Sequence, residues 1–307
     1  MRRPFSTGFL IFPGFPMACL TSMIEPMRAA NEISETHAFE WQLVSVTEDK
    51  VSSSASIDFE PNITLNAVSG LDLLVILSSP TARFQNPADA GKIRSLQRYG
   101  TTLGAISGGV FPLVHAGVAK GRSLAVHWCY QAAFAADFPE HLHSDQVIEL
   151  SDSVVTAAGA AAAFDLSLHL IEQRMGAQLA TEVACWFQHP VMRREGIRQA
   201  IPSLSGNTAG EQLSPLVARA VKVLAENLTT PISIAALANE LGISPRHLER
   251  SFKQSTGLNP TNYYRKLRMD AARQMVLYTN DRLANIAAAV GYGSAQTFTK
   301  HYLAKFG

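Results

Sequence analysis

Short apolar runs alternate with helix-like stretches along the first 190 positions of this 307-residue chain. The runs fall at 7–12, 41–46, 71–77, 102–107, 124–127 and 154–158, and the helical stretches at about 20–32, 88–99, 109–116, 128–137 and 159–175. The run LDLLVILSS is apolar on both of its faces, which predicts a strand covered on each side. Strands covered twice by helices form a mainly parallel α/β sheet. Such a sheet takes ligands in the crevice beyond the carboxyl ends of its strands.

The last third follows a different rule. Residues 233–257 and 283–307 each read as an alanine-rich helix, a glycine turn and a polar helix opened by serine, and Ser244, Leu248 and Phe252 recur fifty positions later as Ser294, Phe298 and Tyr302. This predicts two helix-turn-helix units. In the first, Ser233 caps a helix whose inward side is the small pair Ala235 and Ala238. Gly242 supplies the left-handed residue, and Ser244 with Pro245 opens the next helix. Leu248 and Phe252 share one face, leaving Arg246, His247, Glu249, Arg250 and Lys253 outward. In the second unit Asp281 is the expected cap, Ile286 and Val290 the core, and Gly291 the turn. Phe298 and Tyr302 form the buried stripe of the last helix. Its free face carries Ala295, Gln296, Thr299, Lys300 and His301, groups able to meet base edges and phosphate. A pair of ordinary amphipathic hairpins is the competing reading, and it leaves the matching register unexplained.

The run GISPRHLERSFKQSTGLNPTNYYRKLRMDAARQMV, followed by IAAAVGYGSAQTFTKHYLAKFG, closely resembles the DNA-binding domain of the AraC/XylS transcription regulators. The resemblance covers about 214–307. It implies two recognition helices entering successive major-groove segments of double-stranded DNA, joined by a long helix from Pro260 to about Tyr278, with half-sites about one turn, ~34 Å, apart. The family's base-contacting positions match Arg246, Glu249 and Arg250 on the first helix, and Ala295, Gln296, Thr299 and Lys300 on the second. Ala295 departs from the usual polar group and offers at most a contact to a thymine methyl. The family usually continues through a proline and a Tyr-Arg pair, so the end at Gly307 reads either as a C-terminal truncation or as a last helix without its brace.

Charge divides the chain the same way. Residues 210–307 carry twelve Lys and Arg against six Asp and Glu, a net of +6, whereas 1–209 carry a net of −5. Only the basic end is suited to phosphate. No apolar run approaches the ~20 residues needed to span a bilayer, and the opening MRRPFSTGFLIFPGF reads as a first strand without a signal-peptide cleavage site. Cys19, Cys129 and Cys185 are far apart, which suits a reducing cytoplasm and buried, unpaired positions. His141 and His143 form a lone HxH that reads as solvated loop, and no metal or cofactor is implied.

One strand end is chemically distinctive. In GAISGGVFPLVHAG the chain passes from strand to helix through Ser107, flanked by Ala105 and Gly109, the small residues a nucleophile elbow requires. The amides of Gly108 and Gly109 are expected to face an anion. With EPMRAAN, LAVHW and AAGAAAAFDLSLHLIEQRMG, this region resembles the ThiJ/PfpI, or class I glutamine amidotransferase-like, domain over about 5–190, which implies a flavodoxin-like sandwich. In that superfamily the elbow residue is often a reactive cysteine, with a glutamate from the first helix and a histidine nearby. The matching positions are Ser107, Glu25 and His127. Serine in place of cysteine separates two expectations, a hydrolase in which His127 activates Ser107, or a sensor that holds a metabolite without turning it over. No acidic partner for His127 is identifiable, which favours the sensor.

A ThiJ/PfpI-like domain joined to an AraC-type end is similar to the GlxA-like branch of regulators, whose members typically lack a working nucleophile. The pattern IEPMRAANEISETHAFEWQLVS looks like regulators of amino-acid and quaternary-amine catabolism, with inducers such as arginine, carnitine and glycine betaine. In that reading Trp128 and Phe15 face an alkylammonium group, Glu25 balances its charge, and its carboxylate rests on Gly108 and Gly109. Core packing of the aromatics and an internal ion pair for Glu25 are the competing readings. Residues 191–213 read as a linker. The expected whole is a cytoplasmic, nucleoid-associated homodimer, a metabolite-responsive activator meeting operator DNA and RNA polymerase, with a sensor domain at 1–190 and a DNA-binding domain at 214–307. A non-specific architectural DNA protein is a third reading, against which the polar faces of two helices stand.

Overall fold

A computed structural model of the chain describes residues 3–189, 191–200, 213–278 and 281–307. They form two compact units, Met1–Gln199 and Ala200–Gly307.

The first unit runs β1 Phe5–Ile11, α1 Met17–Ile33, β2 Phe39–Ser45, β3 Val51–Ser52, β4 Asp58–Phe59, β5 Ile63–Thr64, β6 Leu73–Ser78, α2 Pro87–Arg98, β7 Thr102–Ser107, α3 Val110–His115, β8 Leu124–Ala125, α4 Gln131–Asp137, β9 His143–Ser144, β10 Ile148–Leu150, β11 Val154–Ala157, α5 Ala160–Met175 and α6 Ala177–Trp186. The main sheet has the order β10-β11-β7-β6-β1-β2-β5. Every pairing in it is parallel except β10 with β11. Buried strand positions alternate into two sets. Phe9, Ile11, Leu73, Val75, Leu77 and Ile106 join the core built with α1, α5 and α6. The intervening Leu10, Leu74, Ile76, Leu103 and Ala105 are equally buried and point to the other face. There α3 packs on β6 and β7, and Arg94 of α2 donates to the Ala116 carbonyl at 2.9 Å.

Three expectations change. The run 124–127 is a strand only at Leu124–Ala125, paired with β9 outside the main sheet, which places His143 on a strand rather than in a loop, still exposed and with its ring edge-on to Phe134. Of the cysteines only Cys19 is buried, Cys129 being half-buried and Cys185 exposed. And α6 follows α5 directly, because Gly176 at φ +96° breaks the helix without a loop.

The stretch 191–199, read from sequence as the head of a linker, is docked on this unit; Pro190 and 201–212 lie outside the described residues. Its anchor is Asp165 of α5, wholly buried. The carboxylate accepts from the Arg193 amide at 2.9 Å, from Arg193 Nε at 2.7 Å, and bonds His189 Nε2 at 2.9 Å. Asp165→Ala is therefore expected to cost about 2–3 kcal/mol, below the usual range for breaking a buried pair because Arg193 can reach water. The midpoint of urea unfolding measures it, and proteolysis at 191–199 should accelerate. A midpoint like that of the wild type would show that the anchor contributes little. Beyond it, the Glu195 carboxylate accepts from the Leu150 amide, and the Gln199 side chain accepts from the Trp128 amide at 2.8 Å while donating to the carbonyls of Val126 and Gln146.

The second unit is all helical: α7 Pro215–Glu226, α8 Ile234–Glu240, α9 Pro245–Thr256, α10 Pro260–Tyr278, α11 Leu283–Ala289 and α12 Ala295–Phe306. Its core gathers Val217, Val221, Leu224, Leu237, Leu248, Phe252 and Tyr263 among others.

Candidate functional site

Each outward-facing helix of the second unit begins on a serine. Ser233 accepts from the Ala236 amide at 3.1 Å, Ser244 from His247 at 3.2 Å and Ser294 from Thr297 at 3.2 Å, each bond satisfying one of the amides a helix start leaves open. The inward side of α8 is Leu237 with Ala238; Ala235, expected there, is exposed. At α11 the cap position is Arg282, without a side-chain cap bond, and not Asp281.

Leu248 and Phe252 are fully buried, each contributing about 1.5–3 kcal/mol and fixing which side of α9 faces out. That side is Arg246, His247, Glu249, Arg250 and Lys253, all exposed. On α12, Phe298 is fully buried and stacks on the half-buried Tyr302. Gln296 and Lys300 are exposed, Ala295 and Thr299 half-exposed. Two positions differ from expectation. The Thr299 hydroxyl donates to the Ala295 carbonyl of its own helix at 2.8 Å, which leaves it an acceptor only, and His301 is bonded to the Tyr292 hydroxyl at 3.0 Å. The end of α12 is tied to α10 by a Lys305–Asp270 ion pair and by Arg273 over the Phe306 ring at 4.7 Å.

The two turns are not equivalent. Gly242 and Gly291 are both left-handed, at φ +70° and +72°. A Cβ on Gly242 would meet nothing within 4 Å, whereas one on Gly291 would lie 2.4 Å from Pro231 Cγ and 2.6 Å from the Leu228 carbonyl. The second turn is packed, the first open.

In the first unit Ser107 ends β7 at φ +57°, a left-handed geometry that is costly for serine and is that of an elbow. Gly108 and Gly109 are required by close approach of other backbone. A Cβ would fall 2.4 Å from the Ser78 carbonyl in the first case and 2.0 Å from the Ile76 carbonyl in the second. The paired-amide anion site is corrected, because the Gly109 amide donates to the Ile106 carbonyl at 3.0 Å.

Phe15 is fully buried, edge-on to Phe59 with centroids 5.2 Å apart, and is a core residue rather than a pocket wall. Glu25 bonds Arg28 Nε at 3.0 Å, and the same guanidinium holds Glu32; the expected counter-charge is an internal ion pair. His127 lies beside Trp128 and Tyr130, with ring centroids at 5.5 and 5.4 Å, and next to Gly159, whose Cβ would sit 3.2 Å from His127 Cδ2. His127 Nδ1 accepts from the Cys129 amide at 3.3 Å and meets the Cys129 thiol at 2.8 Å. Burial lowers the His127 pKa and pushes the Cys129 thiol up to about 12. With Nδ1 accepting, the neutral ring carries its proton on Nε2. It is a donor at that atom, and no hydrogen bond joins it to Ser107 among the described residues.

Sequence reasoning missed Asp165, Gln199 and Arg268. The last, on α10, donates to the carbonyls of Val290 and Gly291 in the second turn, at 2.6 Å each.

Two exposed polar helices, each seated on a capped helix-turn-helix and joined by one long helix, define a DNA-binding transcription regulator, here attached to a parallel α/β unit. Residues 14–173 match the DJ-1/PfpI family and 237–307 a helix-turn-helix domain family. The chain is 30% identical to the HTH-type transcriptional regulator CdhR of Pseudomonas aeruginosa over 97% of its own length and 88% of that protein. It is 29% identical to GbdR of the same species over 100% and 83%. The crystal structure of an AraC family transcriptional regulator from Pseudomonas putida aligns with 60% of this chain and 100% of that one at a TM-score of 0.55 and 23% identity. The chain belongs to the AraC-type helix-turn-helix regulators that carry an N-terminal DJ-1/PfpI domain. Among the described residues no helix is long and apolar enough to cross a membrane.

Proposed function

We propose that the chain is a metabolite-responsive activator of amino-acid or quaternary-amine catabolism genes, acting in the cytoplasm on the nucleoid as a homodimer that contacts RNA polymerase. The observation that carries the DNA part is the pair of outward faces, Arg246, Glu249 and Arg250 on α9 and Gln296 and Lys300 on α12 with Ala295 and Thr299 beside them. Arginine and glutamine read guanine and adenine edges in pairs of hydrogen bonds, and lysine meets phosphate or guanine. Selection of duplexes from a random library by the full chain, followed by footprinting, tests it. Two protected segments about one helical turn apart are expected; uniform affinity for every duplex, falling steeply with salt, would instead indicate a non-specific DNA protein.

For the ligand, the reading rests on residues at the carboxyl ends of two parallel strands, where such sheets take ligands: Ser107 ends β7, and Gly159, against His127, follows β11. His127 Nε2–H is a donor suited to a carboxylate, and the Trp128 ring suits an alkylammonium group. A thermal-shift screen of the full chain against amino acids and methylated amines tests this. A saturable rise for a carboxylate-bearing amine is expected, and silence across the set would remove the assignment. The hydrolase reading has no base hydrogen-bonded to Ser107 among the described residues. Ser107→Ala is accordingly expected to leave induced transcription essentially intact in a reporter strain. Loss of induction, together with ester hydrolysis by the wild type, would restore the enzyme.

A further inference from the structure

The joining helix touches both helix-turn-helix units through different residues. Near its start, Tyr263 stands edge-on to Phe252 of α9, with centroids 5.4 Å apart. Five residues on, a rise of about 7.5 Å along the helix, Arg268 reaches the second turn. Its Nε and Nη2 donate to the carbonyls of Val290 and Gly291 at 2.6 Å each, and its guanidinium lies 4.3 Å from the centre of the Tyr292 ring. Tyr292 in turn holds α12 at two points, its ring edge-on to Phe298 at 5.6 Å and its hydroxyl on His301 Nδ1 at 3.0 Å. The two carbonyls belong to the last residue before the turn and the turn glycine itself, groups that a helix end leaves without intrahelical partners.

From this geometry we infer that Arg268 is a positioning residue that fixes α12 relative to α9, so that the spacing between the two contacted DNA segments is set by the link Tyr263, Arg268, Tyr292. The inference rests on the reading of α9 and α12 as two DNA readers. Three features make the guanidinium suited to the task. It is planar, so one face stacks on Tyr292 while its edge donates twice. It is half-buried, which strengthens both hydrogen bonds and lowers its pKa. And the turn it grips is backed on another side by Leu228 and Pro231 at Gly291 and by the Thr229 hydroxyl, which donates to the Ala289 carbonyl at 2.9 Å. The turn is thus held from both the joining helix and the loop after α7.

The test uses the full chain and a duplex selected by the wild type, in versions with the natural spacing and with two base pairs inserted between the protected segments. The wild type should lose affinity about tenfold on insertion. Arg268→Gln should lose about tenfold on the natural duplex, keep protection of the α9 segment, lose protection of the α12 segment, and respond little to the insertion. Arg268→Lys, which keeps the charge and a single donor nitrogen but no planar stack, should recover part of the second footprint. Two protected segments with wild-type spacing dependence in Arg268→Gln would overturn the inference. If the wild type selects no sequence, it is the DNA reading that fails. Should Arg268→Gln not melt cooperatively, Tyr292→Leu, which removes the stacked ring and its bond to His301, decides by the same footprints, and wild-type spacing dependence there would overturn the inference as well.

Discussion

Arg246→Ala with Arg250→Ala is expected to weaken binding to a selected operator by between about a hundredfold and ten-thousandfold, while leaving the melting temperature and any ligand-induced shift close to wild type. Both side chains are exposed and make no hydrogen bond or ion pair among the described residues, so their loss removes nothing from the fold. Each arginine placed on a base edge contributes about 1–3 kcal/mol of discrimination, and removing an arginine that neutralises a phosphate lowers the slope of log affinity against log salt by roughly 0.9. Titration at two salt concentrations separates these. A flatter slope with unchanged sequence preference would mark the pair as phosphate binders, and an abolished preference as base readers. Parallel loss of operator and ligand binding would refute separate roles for the two units.

The second large effect concerns the elbow. Gly109→Ala would place a methyl 2.0 Å from the Ile76 carbonyl oxygen and 2.8 Å from its carbon, backbone atoms of a central strand that cannot move without breaking β6 from β1 and β7. The φ of Gly109 is −58°, an ordinary helical value, so the cost is steric alone. Overpacking against immovable backbone belongs to the severe class of substitutions, above roughly 4 kcal/mol, and soluble yield or the melting transition of the first unit should collapse. Gly91→Ala supplies the opposite sign. It lies inside α2, and the nearest foreign atom to its Cβ would be Arg94 Nη2 at 3.7 Å, so stability should rise by about 0.5–1 kcal/mol. A Gly109→Ala protein as stable as the wild type would mean that the strand-to-helix passage yields far more readily than its packing implies.

Much of the second unit was legible because its signals are local. Serine caps, turn glycines and the spacing of Leu248, Phe252 and Phe298 act within four or five residues. The joining helix has the expected ends, Pro260 and Tyr278. In the first unit the long strands and the turn at Ser107 were readable for the same reason. What escaped depends on distant partners or on brevity. Strands of two residues such as β3, β4 and β9 carry no period. Helix α6 was hidden because Gly176 reads as an end and not as a hinge between abutting helices. The fate of Glu25 turned on Arg28, three residues away, which sequence alone could pair or leave open. That of Gly109 turned on a backbone carbonyl three residues back. Asp165, Gln199 and Arg268 meet groups 22 to 73 residues distant, and only the folded chain shows which glutamine or arginine of many has found one.

The three hydrogen bonds of the Gln199 amide bear on how this protein can be taken apart. A biosensor engineer who splices the front half onto a foreign effector at residue 190, where composition changes, would discard the side chain that props the turn bearing His127 and Trp128. Retaining nine more residues keeps the first unit whole, and the junction belongs after Gln199.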